Sequence, residues 1–272
     1  MVRSLWSGAT GMLAQQTAVD VISNNIANVN TAGFKTGQME FKSLLYQELQ
    51  TKTTSANGDT KPIDSQVGLG VRNSSITTIF TQGAFLESGN NTAFAIGGDG
   101  LFGVKLADGT TAYTRNGDFH FALHSQGLEL TDSSGNAVLD TKGQPIIIKG
   151  EEYMSSRITI SGDGELYYPD EDNNPKSMNI KIGLWQFNNP AGLEKRDSSL
   201  YVETAASGKP LNEADNRTLS KSKVVQGYLE GSNVQLADEM VNLIVAQRAY
   251  EANSRVITTT DTMMQQANQL KQ

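Results

Sequence analysis

Apolar residues recur every seven positions at both ends of this chain and every second position between them. From Asn233 to Leu270 the row Leu236, Leu243, Tyr250, Ile257 and Met264 keeps a seven-residue step, with Met240 beside it. A second row, Ala249, Val256, Met263 and Leu270, runs next to the first. A repeat of this kind holds one side of a helix against a partner helix. Asn233 is expected to cap the helix, and Asp238 and Glu239 stand in its early turns, where the macrodipole favours negative charge. Such a helix is roughly 55 Å long, more than a compact domain needs, so a partner must lie elsewhere.

The opposite end supplies one. Residues 2 to about 30 carry Leu5, Met12, Val19 and Ile26 at the same spacing, with Ile22 and Val29 at the next seam position, and Gly33 is placed to end the helix. From Met1 to Phe34 the only charged side chains are Arg3 and Asp20. A surface helix ordinarily has a Lys/Glu-rich outer face. The uncharged faces here, with Gly8, Gly11, Ala14 and Ala18 permitting close approach, predict a helix packed by protein on several sides. One partner is too little to hold it rigid, so both ends are expected to be mobile in a free monomer and to order on assembly.

Between the helices the period becomes two. LFGVKLADGTTAYTR reads as strand, Asp-Gly turn, strand; DFHFALHSQGLELT and RITISGDGELYY turn at Gln126-Gly127 and Asp163-Gly164; MNIKIGLWQF and SLYVET are further strands. DEDNNP, Asp170 to Pro175, is expected at a hairpin tip. Thr51 to Gln66, polar and containing the first proline, reads as a long loop or extended arm. The fold class predicted is α+β: long N- and C-terminal helices paired as an antiparallel coiled-coil stem, with a mostly antiparallel β domain inserted between them. The boundaries are 1–33 for the first stem helix, 34–66 for the connecting segment with its arm, 67–230 for the β domain and 231–272 for the second stem helix.

Composition narrows the function. The formal net charge is -7 with no basic run, which argues against nucleic acid as a partner. There is no cysteine, so thiolate catalysis and zinc–thiolate sites are excluded. Mean hydropathy is -0.37 and no apolar run approaches the ~18 residues of a membrane span, so direct membrane insertion is not expected. The start of the chain is a poor secretory signal, and export without a cleaved leader is expected.

Candidate chemistry is sparse. Gly98, Gly100 and Gly103 fit G-x-G-x-x-G, but a strand follows where a dinucleotide site needs a helix. His120 and His124 on a strand stand ~13 Å apart, too far for one metal ion. Asp170, Asp172 and Asn174 imitate a calcium loop, but Pro175 and Lys181 occupy the positions of its glycine and glutamate. No enzyme, cofactor or metal is expected.

The most specific stretches lie at the two ends. Ser23 to Lys35, SNNIANVNTAGFK, and Glu239 to Gln265, EMVNLIVAQRAYEANSRVITTTDTMMQ, resemble the terminal signatures of the bacterial flagellar rod and hook proteins. QGAFLESGNNTAFAIGGDGLF, AYTRNGDF and VVQGYLEGSNV are similar to segments of the same family. SLWSGATGMLAQQ and EFKSLLYQ resemble most its distal-rod members. The resemblance marks Asn24, Asn25, Asn28, Asn30, Gly33, Phe34, Gln247, Arg248, Tyr250 and Asn253 as family-motif residues, with the asparagines as candidates for amide bonds between subunits. It implies a subunit that polymerises through its terminal helices into a straight hollow shaft transmitting torque across the cell envelope, and that forms no covalent chemistry. The partners implied are further copies of itself, proximal rod and hook subunits, surrounding envelope ring proteins and the flagellar export apparatus. The location implied is the basal body across the periplasm. A proximal rod or hook subunit is the alternative, and an envelope glycan hydrolase a remote one.

Overall fold

The computed structural model describes residues 2–50, 65–125, 127–149, 154, 157–170, 174–216 and 218–270. The arm expected over Thr51 to Gln66 falls largely outside them. The chain is α+β and divides into two compact units, the first made of residues 1–27, 37–77 and 235–272, the second of 28–36 and 78–234.

The first unit holds both helices. Helix α1 spans Val2–Ala27 and α2 spans Leu236–Gln269. Four strands accompany them: β1 (Gly37–Ser43), β2 (Tyr46–Gln50), β3 (Ser65–Gly68) and β4 (Val71–Thr78). β1 pairs with β4 and β2 with β3, as two ribbons. Thr17 Oγ1 accepts from Asn73 Nδ2 at 2.7 Å and ties α1 to β4. Asn233 does not cap α2. The N-cap position is Gln235, with no side-chain cap bond. The Asn233 amide is committed elsewhere: its Oδ1 accepts from the Thr36 N–H and hydroxyl, and its Nδ2 donates to the Ile79 carbonyl at 2.8 Å.

The second unit is built of strands β5 (Phe85–Glu87), β6 (Phe94–Gly97), β7 (Leu101–Lys105), β8 (Thr111–Thr114), β9 (Phe119–His124), β10 (Gly127–Asp132), β11 (Ala137–Val138), β12 (Ile147–Ile148), β13 (Thr159–Ile160), β14 (Glu165–Pro169), β15 (Pro175–Lys181), β16 (Leu184–Gln186), β17 (Glu194–Lys195), β18 (Leu200–Val202), β19 (Leu211–Asn212), β20 (Lys223–Gln226) and β21 (Tyr228–Glu230). The main sheet runs β12-β10-β11-β7-β8-β18-β17, with β9 on β10 and β16 on β7; its pairings are antiparallel. The Asp-Gly turn between β7 and β8 and the turn before β14 place Gly109 and Gly164 at positive φ. β14 and β15 pair antiparallel, with Pro169 opposite Pro175, and the hairpin tip expected over DEDNNP lies largely outside the described residues.

Alternation along the strands builds two cores. Phe94, Ile96, Phe102, Phe119, Leu130 and Ile148 centre the larger. Leu101, Tyr113, Leu139, Trp185, Leu193 and Tyr201 form the smaller, with Tyr113 edge-on to Trp185 at 5.9 Å between ring centroids. The glycines of the G-x-G-x-x-G match serve this packing: a Cβ on Gly103 would meet the Trp185 ring, and one on Gly100 the Glu213 carboxylate. His120 and His124 lie exposed on β9, opposite Thr131 and Gly127.

Candidate self-assembly site

The seam between the helices is lined by small and polar side chains. Ser4 Oγ lies 3.5 Å from Thr260 Oγ1. A Cβ added to Gly11 would stand 2.7 Å from Asn253 Nδ2, and one added to Gly8 3.0 Å from Ile257 Cγ1. Asn25 Nδ2 donates to Glu239 Oε2 at 3.3 Å. The contacts climb α1 in steps of seven, through Ser4, Gly11, Ala18 and Asn25, and descend α2 in the same steps, through Thr260, Asn253, Ala246 and Glu239. The helices therefore run antiparallel in one register. Ala18 and Ala246 are both buried within this row.

The expected seam residues stand beside this row. Leu5, Met12, Val19, Ile22 and Ile26 are half-buried, each next to the α1 row or its neighbouring turn; Val29 is half-buried beyond the helix end. Leu243, Ile257 and Met264 are half-buried, whereas Leu236, Met240 and Tyr250 are exposed. The reason is steric. Glycine and alanine at the contact row bring the backbones close, and large side chains at the adjoining positions are turned to the flanks. Interior glycines cost a helix about 1 kcal/mol each relative to alanine, so two of them facing α2 mark a required approach.

What the helices leave uncovered is apolar. On α2, Val241, Val245, Val256, Met263 and Leu270 lie off the contact row and are exposed, Val245 by 61%. The expected second row supplies three of them. On α1, Trp6 (61%) and Leu13 (64%) project away from α2. Soluble monomers rarely show contiguous apolar surface on this scale, and stripes of it mark binding faces.

The family-motif residues divide between the two units. Asn25 is 2% exposed and used within the chain: its Oδ1 accepts from the Gly37 N–H at 3.0 Å and its Nδ2 donates to the Gly37 carbonyl at 2.9 Å. That commitment corrects its candidacy for a bond between subunits. Asn28 Oδ1 accepts from the Thr31 hydroxyl at 3.1 Å, while Asn24 and Asn30 are exposed. Gln247 is exposed, and Arg248 pairs with Glu251 at 3.0 Å. Asn253 sits over Gly11. In the second unit Gly33 is left-handed, at φ +69°, and a Cβ there would lie 2.4 Å from the Asn116 nitrogen. The Lys195 ammonium stands 5.4 Å from the centre of the Phe34 ring.

Sequence reasoning missed the group that holds this segment. Lys35 and Glu230 are both fully buried and meet at 2.6 Å, and Arg115 Nη1 reaches the other Glu230 oxygen at 2.9 Å. Glu230 also accepts from the Gly83 N–H, and Lys35 donates to the Thr81 carbonyl at 2.7 Å. Burial pushes the Lys35 pKa below its usual value against the pull of Glu230. The available signal was the charge itself: Lys35 and Glu230 are the sole charges of SNNIANVNTAGFK and VVQGYLEGSNV, and Arg115 shares AYTRNGDF with Asp118.

Comparison with known proteins identifies relatives of both ends and of the middle of the chain. Residues 5–35 match the family described as flagella basal body rod protein, residues 225–270 the flagellar basal body rod FlgEFG protein C-terminal family, and residues 95–168 the flagellar hook protein FlgE/F/G D1 domain. The flagellar basal-body rod protein FlgG of Borreliella burgdorferi is 43% identical over 100% of this chain and 99% of its own length. The proteins of that name from Agrobacterium fabrum, at 39% with 96% and 97% covered, and from Buchnera aphidicola of Acyrthosiphon pisum, at 38% with 99% and 100% covered, are similar throughout. Shared over their whole length, these likenesses make the chain a member of the flagellar basal-body rod protein family.

Proposed function

We propose that this chain is a non-enzymatic structural subunit of the distal rod, a straight hollow shaft that transmits torque across the envelope and carries the export channel. In this reading α1 and α2 pair as an antiparallel coiled-coil stem, and Leu5, Met12, Val19, Ile22, Ile26, Val29, Leu236, Met240, Leu243, Tyr250, Ile257 and Met264 contribute its flanks to contacts among copies. Proximal rod and hook subunits, the ring proteins and the export apparatus are its further partners, and the periplasmic span of the basal body is its location. One observation carries the reading: along α2 the apolar side chains of Val241, Val245, Val256, Met263 and Leu270 stay exposed among the described residues. Homologues named as basal-body rod proteins support it. Burying such surface is worth about 25 cal/mol per Å², enough when repeated along a filament to drive polymerisation.

The test is a full-length chain carrying Val245→Glu and Met263→Glu. Both positions are exposed, so folding should change by no more than about 0.5 kcal/mol per substitution. Polymerisation, followed by sedimentation and electron microscopy, should be lost. Normal filaments from this variant would refute the reading. For the segment between β2 and β3 we infer a stiffening role. Removing residues 51–64 should convert straight filaments into curved ones, and unchanged straight filaments would remove that role.

A further inference from the structure

We propose that Asn253 and Asn25, with Gly11, set the register of the two helices, acting as specificity residues and not as sources of strength. The proposal rests on the stem reading above.

The large apolar rows cannot set a register by themselves. Leu5, Met12, Val19 and Ile26 repeat every seven residues, as do Leu236, Leu243, Tyr250, Ile257 and Met264. A slip of seven residues presents nearly the same surface again, and the exposed stripe of α2 could equally be covered by another copy's helix. The contact row is different because its members are unlike one another. Gly11 faces Asn253, Asn25 faces Glu239, and Ser4 faces Thr260.

Sliding α2 by one heptad in one direction puts Asn253 against Ala18. Gly11 is already close enough that an added Cβ would stand 2.7 Å from Asn253 Nδ2, and Ala18 carries that Cβ. The same slip sets Asn25 against Ala246 and takes the Asn25 donor away from Glu239. Sliding the other way places Ala18 against Glu239, so a buried carboxylate faces a methyl group, and leaves Asn25 beyond the start of α2 at Leu236. Each slip strands a buried polar group, and buried polar groups without partners are strongly disfavoured. Polar residues at core positions specify register in this way, at some expense of stability.

The chain has no cysteine, so engineered pairs report register cleanly. Ser4→Cys with Thr260→Cys probes the observed register, since the native oxygens are 3.5 Å apart. Ser4→Cys with Ala267→Cys probes the slip that sets Asn253 on Ala18. Oxidation of dilute full-length chain, with intramolecular products separated on gels, should give the first crosslink at least tenfold over the second. In an Asn25→Ala, Asn253→Ala background, which removes both the polar groups and the side chain that would meet Ala18, the second should rise to a yield comparable with the first. Near-ultraviolet circular dichroism from the β unit confirms folding of each variant. A companion pair guards against simple disruption: Gly11→Ala should lower the in-register crosslink several-fold, and adding Asn253→Ala should restore it. If the register stays single in the Asn25→Ala, Asn253→Ala background, or Asn253→Ala fails to rescue Gly11→Ala, the specificity role is wrong. If the parent forms no Ser4–Thr260 crosslink at all, the stem reading itself fails.

Discussion

Glu230 is a carboxylate shared by two buried cations. Lys35 and Arg115 both reach it, and Gly83 adds a backbone donor. Breaking a buried pair is costly because the surviving charge has neither water nor a partner. Glu230→Gln leaves two cations without their counter-charge and should cost about 3–5 kcal/mol, read from urea denaturation of the β-unit signal. Tyr201 allows a second prediction. Burial raises its phenol pKa well above 10.0, helped by the Glu230 charge and opposed by Arg115. The folded chain therefore keeps this proton where the unfolded chain releases it, and the contribution to stability, complete below pH 10, declines as pH rises past it. Tyr201→Phe should flatten the loss of stability between about pH 10 and 12 relative to the parent; an identical alkaline slope in both proteins would contradict that assignment.

At the scale of elements, both helices could be read from their seven-residue periods, yet the small and polar residues of their contact row could not. Periodicity weighs large apolar side chains most heavily, whereas the contact row consists of Ser4, Gly11, Ala18 and Asn25, residues with little or no hydrophobic weight. The glycines were noted as permitting close approach, and Gly8 and Gly11 do lie against Ile257 and Asn253, with Leu5, Met12, Val19 and Ile26 half-buried beside the row. The β turns fared better, because Asp-Gly and similar pairs encode their own backbone geometry. Asn233 shows the opposite failure: an asparagine shortly before a helix suggests a cap, but its tertiary bonds to Thr36 and Ile79 take precedence. The shallow burial of α2 has a consequence. Its only buried residues are Glu239, Ala246 and Thr260. Regions with few buried contacts open at low free energy. In dilute monomer the amides of α2 should exchange at least tenfold faster than those of β7 and β10, and polymerisation should close that gap. Equal protection in the monomer would mean that the helix is already rigid alone.

For the whole molecule, one division between the compact units falls inside the N-terminal signature. The N-terminal signature reads as a single motif from Ser23 to Lys35, but its halves belong to separate units, with the division after Ala27. Gly33, Lys35 and Thr36 are bonded to Glu230 and Asn233, so residues 28–36, which are turn and irregular backbone, belong to the β unit and are not a tail of α1. No local pattern carries this, because the partners are about two hundred residues away in sequence. A fragment of residues 28–234 keeps every one of these bonds together with both apolar cores. It should unfold cooperatively and remain monomeric, since the apolar stripe of α2 is gone. A fragment of residues 37–234 loses Lys35 and the Gly33 N–H, and leaves the Glu230 carboxylate with Arg115 and the Gly83 N–H. Its stability should fall by several kcal/mol, about the cost of removing one partner from a buried ion pair together with a hydrogen bond to a buried carbonyl. Thermal or urea unfolding of the two fragments decides the matter. If the nine residues make no difference, the buried Lys35–Glu230 pair is not what anchors the N-terminal signature to the β unit.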